Sequence, residues 1–368
     1  MRPILHLLPD LHYHGHARQV TLLAPALRQR GFSPSVFSTS GPGPFAQPLR
    51  QKGIPVLGHG GLRKFDLEDW LALRRLLTTD RPELLHVWGL PALGVLWYAT
   101  LGKRSLLPPL VVSLRSSVLK KKRFQFWDRR LLKSIRAFVV ASDPERTVLI
   151  SAGLPAEKVR VIPPGVPMPE PVADGAVLRT ACGIPLDSPL MMGVGHLGSA
   201  DRFHDAVWAF EMLQFVVPKL QLALVGDGPN RQRLGSYFRA ARQSGLGLHF
   251  LGFRDDAASL VGLADVVVVP HRRAGGTFAT LEAMSAGKPV VASNLPHLAN
   301  IIRNGETGML VPPNDPIALA RVTLRLMENP PLRDRIGSAA RDAVEREFRV
   351  DTMTEQFAEL YDACVSTR

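Results

Sequence analysis

Cysteine is nearly absent: Cys182 and Cys364 are the only two in 368 residues, and they lie far apart. That excludes a disulfide framework and suits a reducing cytoplasm. Long unbroken apolar runs are missing as well. The nearest approach is LLHVWGLPALGVLWYATLG, residues 84 to 102, in which His86 is the one titratable basic side chain. It almost reaches bilayer-spanning length, but Gly89 and Pro91 break it, so it reads as a buried strand followed by a buried helix. The opening MRPILHLLPDLHYHG lacks the long apolar core of a signal peptide, and Asp10 interrupts what there is. Repeats of solenoid period, low-complexity tracts and any Ser/His/Asp or Cys/His signature of a nucleophile are also lacking.

Acidic charge is scarce in one half only. Residues 1 to 165 carry 25 Lys and Arg against 10 Asp and Glu, whereas residues 166 to 368 carry 20 against 22. A basic half beside a neutral half implies an anionic partner for the first: a membrane surface, a phosphorylated substrate or nucleic acid. No helix-turn-helix, zinc-finger or RNA-binding signature accompanies the charge, so nucleic acid is not expected. His12, His14 and His16 alternate as metal ligands on a strand do, but they follow the first strand, in a loop with Gly15. No metal is expected there; polar residues lining a cleft fit them better.

What is present is one pattern written twice. Short apolar runs (PILHLLP, SPSVFST, LLHVWG, LVVSLRS, AFVVAS) alternate with amphipathic segments up to a proline-rich stretch, VIPPGVPMPEP, at 161 to 171. The pattern then restarts with LMMGVGHL, LQLALVGDGP, LHFLGF, ADVVVVP and PVVAS. Strands alternating with helices predict parallel sheets covered on both faces. The expected fold is therefore α/β, with two Rossmann-like doubly wound domains over 1–165 and 166–349 and a C-terminal helix, about 350–368, packed back on the first. Ligands of such folds sit beyond the carboxyl ends of the strands, here in the cleft between facing domains.

The stretch RRAGGTFATLEAMSAGKPVVAS, 272 to 293, predicts a helix over about 277–286, N-capped by Thr277 and stopped by Gly287 and Pro289. Its N-terminus would expose N–H groups and partial positive charge to phosphate, with Glu282 in the second turn placed to accept from ribose hydroxyls.

Taken in order, VRVIPPGV, LVGDGPNRQRL, FLGFRDD, ADVVVVPHRR, LEAMSAGKPVVAS and NGETGMLVPPNDPIALA resemble the group-one glycosyltransferases, the large retaining family with the GT-B fold. The resemblance covers about residue 84 to the C-terminus and, more loosely, the first 30 residues. It implies a hexosyltransferase-type reaction, usually without a metal and with no cofactor beyond the nucleotide-sugar substrate. The second domain would hold the donor and the first the acceptor, a lipid-linked or cell-envelope glycan.

By position, Glu282 matches the glutamate that binds the nucleotide ribose. Thr277, Phe278, Ala279 and Thr280 match the loop and first turn facing the donor phosphates and sugar. Gly226 and Gly228 match the turn beside the donor, and Phe253 and Arg254 the positions near the base. Gly15 matches the glycine of the first strand–helix loop, and His86 and Trp88 the acceptor-side loop. The departures are His196 and Asp201 in place of an arginine and a lysine, Ala274 in place of a second glutamate, Trp88 in place of a histidine, and a missing asparagine in IPPGV. Arg202, Arg272, Arg273 and a protonated His196 are the candidates to offset the diphosphate charge. Asp201 is expected to turn away from that charge or to pair with a neighbour such as Arg202. A non-catalytic relative that binds a nucleotide or glycan is the alternative.

In the basic segment LKKKRFQFWDRRLLKSIRAF (119 to 138), Phe124, Trp127, Leu131, Ile135 and Phe138 recur at helical spacing. The opposite stripe of Lys122, Phe126, Arg129, Arg130 and Lys133 suits an anionic membrane surface. The expected location is the cytoplasm, with a peripheral position on the inner face of the cell membrane.

Overall fold

The computed structural model describes residues 1–12, 14–58, 67–102, 107–114, 129–169, 174–236, 247–254, 256–273 and 275–366. The chain divides into two compact units: Met1–Gly165 with Val350–Arg368, and Val166–Arg349. In the first unit, β1 (Arg2–Leu8), β2 (Phe32–Ser38), β3 (Val56–Leu57), β4 (Leu84–Trp88), β5 (Leu110–Ser113), β6 (Ile135–Val140) and β7 (Val159–Val161) form one parallel sheet. Its order is β3-β2-β1-β4-β5-β6-β7. In the second unit, β8 (Leu190–Val194), β9 (Gln221–Val225), β10 (Leu248–Gly252), β11 (Val266–Val269), β12 (Val290–Ser293) and β13 (Met309–Val311) are likewise parallel, in the order β10-β9-β8-β11-β12-β13. Both units are thus Rossmann-like.

The sequence explains why these runs become interior strands. β11 is four valines, all buried, because helices cover both faces of the sheet and no face needs polar alternation. β4 is buried throughout, and the Gly89–Ala99 helix that follows is apolar nearly all round. Among the described residues no helix is long and apolar enough to cross a membrane. The C-terminal Val350–Ser366 helix packs on the Gly15–Gln29 helix and on β4 and β5, burying Phe357 and Tyr361 completely.

One expected element is corrected. Ile135 and Phe138 do not continue a helix: the Arg129–Ser134 helix ends and β6 takes both residues. The run IRAFVV pairs with β5 on one side and β7 on the other, and five of its six side chains are buried. Sheet burial on two sides overrides the local helical spacing. Of the basic stripe, Lys122 and Phe126 lie outside the described residues, as do the side chains of Arg129 and Arg130; Lys133 is exposed.

Each sheet has a point where the strand order reverses, between β1 and β4 in the first unit and between β8 and β11 in the second. At such a point the loops leaving two neighbouring strands diverge and open a crevice at their carboxyl ends.

Candidate functional site

In the second unit, four strand-end loops gather the residues singled out in the sequence. His196 and Arg202 follow β8, Gly226 and Gly228 follow β9, Phe253 and Arg254 follow β10, and Arg272 and Arg273 follow β11. The backbones are tied together. Gly195 N–H donates to Val225 O at 3.0 Å, Gly226 N–H to Gly252 O at 2.7 Å, and Leu197 N–H to Asp227 O at 2.9 Å. Gly226 has φ +144°, and a Cβ there would collide with the carbonyl oxygen of Gly195. Only glycine permits that approach. A Cβ on Gly228 would stand 2.8 Å from His196 Cε1, so the turn after β9 forms the floor under the exposed His196 ring.

The Thr277–Ser285 helix begins one residue earlier in capping terms than its sequence implies. Gly276, left-handed at φ +76°, is the N-cap and has no capping side chain; Thr277 is the first helical residue. Glycine wins because the chain must turn sharply from the β11 loop into the helix. The end is as read: Lys288 N–H donates to Ala283 O at 3.0 Å and Gly287 N–H to Met284 O at 2.9 Å, with Gly287 at φ +69°. This is a Schellman closure. Thr277 and Phe278 are half-buried at the open end, Ala279 and Thr280 point into the core, and Glu282 is half-buried in the second turn.

The four candidate arginines divide in two. Arg202, itself left-handed at φ +52°, makes a two-pronged pair with Asp205 (Nε–Oδ2 2.7 Å, Nη2–Oδ1 2.7 Å). Arg254 does the same with Asp256 (2.8 and 2.6 Å). The hydrogen bond from Arg254 holds the Asp256 carboxyl below its usual range, against a smaller effect of burial. Arg272 and Arg273 are exposed, and neither has a carboxylate partner among the described residues. The Arg272 N–H donates to Ala200 O at 2.9 Å, so the loop after β11 is fastened to the loop after β8. Ala274 lies outside the described residues.

Asp201 does pair with a neighbour, but the partner is not Arg202. It accepts from His271, Nε2–Oδ1 2.8 Å, and from Gly198 N–H at 3.1 Å. His271 was not among the residues singled out in the sequence. The only signal was a histidine immediately beyond a four-valine strand and Pro270, where a buried polar group needs a partner.

The first unit treats its reversal point differently. His86 and Trp88 are completely buried. His86 Nδ1 lies 2.6 Å from Tyr361 Oη and its Nε2 2.8 Å from Ser113 Oγ. Trp88 Nε1–H donates to His6 Nδ1 at 3.2 Å and its ring stacks on His86, centroids 4.1 Å apart. These partners all belong to the same unit, so its own packing seals both residues. Burial pushes His6 down to about 3 and drives His86 in the same direction.

Gly15 starts the Gly15–Gln29 helix, and His14 caps it. His14 Nδ1 accepts from Ala17 N–H at 3.3 Å and Nε2 bonds Asp10 Oδ1 at 2.9 Å, which fixes the tautomer. Burial pushes the Asp10 carboxyl up, but the hydrogen bonds from His14 and from His12 N–H prevail and hold it below its usual range. Among the described residues no three His, Cys, Asp or Glu side chains cluster as a metal site.

Two families match the chain, one over each unit. "Glycosyl transferases group 1" matches residues 177–343 and "Glycosyltransferase Family 4" residues 13–168. Among curated proteins, the N-acetyl-alpha-D-glucosaminyl L-malate synthase of Bacillus anthracis is 26% identical over 51% of this chain and 49% of its own length. The phosphatidyl-myo-inositol mannosyltransferase of Mycobacterium leprae is 35% identical over 40% of this chain and 39% of its own. The match thus spans half or less of these relatives' own length. Among solved structures, Anabaena HepE in complex with UDP-glucose superposes with a TM-score of 0.76 at 23% identity, over 98% of this chain and 100% of that one. The fold is accordingly GT-B.

Proposed function

Since the chain belongs to the group 1 glycosyltransferases, we propose that it moves a sugar from a nucleotide-sugar donor to an acceptor with retention of configuration, and that the second unit's strand-end loops hold the donor. The observation that carries this reading is the pair of exposed arginines without carboxylate partners among the described residues, Arg272 and Arg273, leading through Gly275 and Gly276 into a helix N-terminus. Breaking the glycosidic bond builds charge on the leaving diphosphate, and a catalyst must stabilise that charge more in the transition state than in the ground state. Preorganised backbone N–H groups at the start of the Thr277–Ser285 helix and exposed cations beside it supply this without a metal.

In this reading Glu282 accepts from the ribose hydroxyls, Phe253 offers an exposed ring to the base, and the glycines after β9 let the donor approach the backbone. Arg202 and Arg254, each held by an aspartate, act as structural clasps. His196, exposed on the β8 loop, faces the donor beside the open arginines. His86 and Trp88 form a buried plug beneath the acceptor-side loop and do not touch sugar.

The similarity to the phosphatidyl-myo-inositol mannosyltransferase of Mycobacterium leprae supports a lipid-linked or cell-envelope acceptor. That agrees with a cytoplasmic enzyme peripheral to the inner face of the membrane, which salt-sensitive cosedimentation with anionic vesicles would test. Donor use is tested by a thermal-shift panel of uridine, guanosine and adenosine diphosphates and their sugars, followed by product formation with the stabilising one. A ligand at 100 times its Kd stabilises by about 2.7 kcal/mol. No shift with any of them would contradict the proposal.

A further inference from the structure

His271 is 1% exposed, and its ring lies directly under the turn that leads into the Thr277–Ser285 helix. A Cβ built on Gly275 would stand 2.6 Å from His271 Cδ2, and one on Gly276 3.1 Å from Nδ1. The two glycines are therefore also what makes room for the ring. Nε2 is taken by Asp201, but Nδ1 has no partner among the described residues. A buried polar atom left this way is costly and calls for a reason.

We propose that His271 takes up a proton when an anion binds over the Gly275–Gly276 turn, so that ligand binding and imidazole protonation are coupled. The proposal rests on the donor-diphosphate reading given above. With Asp201 accepting from Nε2–H, the neutral ring presents a bare Nδ1 toward the turn. Protonating it gives an imidazolium held by Asp201 on one side, with its new N–H under the turn. A diphosphate over the turn favours that cation, because it then lies between two anions. The proton comes from solvent.

Charged and polar groups face the ring from several elements. Asp201 is in contact on the β8 side, where His196 is exposed on the same loop. Arg272 and Arg273 follow His271 on its own loop, and His297, from the short Pro296–Ala299 helix, bonds Gly275 O at 2.7 Å. Phe203 closes the apolar side, with ring centroids 6.3 Å apart. Asp201 thus has a positive use: a lysine at that position would oppose the imidazolium, whereas an aspartate sustains it.

The test is calorimetry of UDP, GDP and ADP binding in buffers of different ionisation enthalpy at pH 7, with the parent and with His271→Gln. Glutamine keeps an N–H for Asp201 but does not titrate, so the diphosphate's own ionisation cancels between the two proteins. The parent should take up about half a proton more than the variant, and its affinity advantage should grow by about threefold per pH unit lowered. Asp201→Asn should abolish the same uptake, which keeps the question open to decision if His271→Gln does not fold. Equal uptake by parent and variants overturns the coupling alone. Failure of all three diphosphates to bind the parent overturns both this inference and the donor reading.

Discussion

The two reversal points, between β1 and β4 and between β8 and β11, occupy equivalent places in their sheets and have opposite chemistry. The first is plugged from below: along β1 and β4, His6, His86, Trp88, Tyr361 and Phe357 pack ring against ring with neighbouring centroids 4.1 to 6.5 Å apart, and the C-terminal helix supplies two of the five. The second is cleared. Glycines stand at 195, 226, 228, 275 and 276, and Arg272 and Arg273 project beside them. Topology offers a crevice at both places; side chains decide whether it becomes core or site.

The strongest way to break the comparison is at the plug. Trp88→Ala removes a completely buried indole and leaves His6 Nδ1 without its donor. A loss of about 3–5 kcal/mol in unfolding free energy is expected from such a truncation, read by urea denaturation, with nucleotide affinity of the folded fraction unchanged. Lost transfer at undiminished stability would show that Trp88 belongs to a site after all.

Acid comes next in size. His6 ionises near 6.5 in the unfolded chain and about 3 in the folded one, and His86 shifts the same way, both because of burial. The unfolded chain therefore binds more protons between those values. Stability is full above about 6.5 and falls as the pH drops toward 3. His6 alone accounts for about 2 kcal/mol lost by pH 5. His6→Gln, which keeps an acceptor for Trp88, should flatten the dependence of urea midpoint on pH between 6.5 and 5; an unchanged slope would show that His6 is not the group responsible.

Glu282→Gln sharpens the other side of the comparison with the smallest effect. It should weaken binding of the preferred nucleoside diphosphate about tenfold, as for one charge-assisted hydrogen bond, and leave the melting temperature of the free protein within a degree or two. Equal affinity in titration calorimetry removes Glu282 from the ribose.

Much of this was legible in the chain itself. The alternation of valine-rich runs with amphipathic segments yields two parallel sheets, because strands covered on both faces have no polar alternation to confuse with anything else. GDGP reads as a turn, and the structure adds why its first glycine is needed: a Cβ on Gly226 would meet the Gly195 carbonyl oxygen. What was not legible depends on partners far away in sequence. That His86 is a core histidine is settled by Tyr361, 275 residues later. That Asp201 pairs with His271 follows from how two strand-end loops meet, which no local pattern records; Arg202 is instead taken by Asp205, three residues on in the same segment. Ile135 and Phe138 matched a helical period by coincidence, and sheet pairing on both sides overruled it.

The central claim is that the second unit's open arginines receive the donor diphosphate. Its most direct measurement compares nucleoside diphosphate with nucleoside binding in the parent and in an Arg272→Ala/Arg273→Ala double variant, alongside the rate of sugar transfer. The account predicts that the variant binds the nucleoside as the parent does, loses most of the diphosphate's added affinity, and transfers sugar on the order of a hundredfold more slowly or worse. Parent-like transfer and an undiminished preference for the diphosphate in the double variant would contradict it.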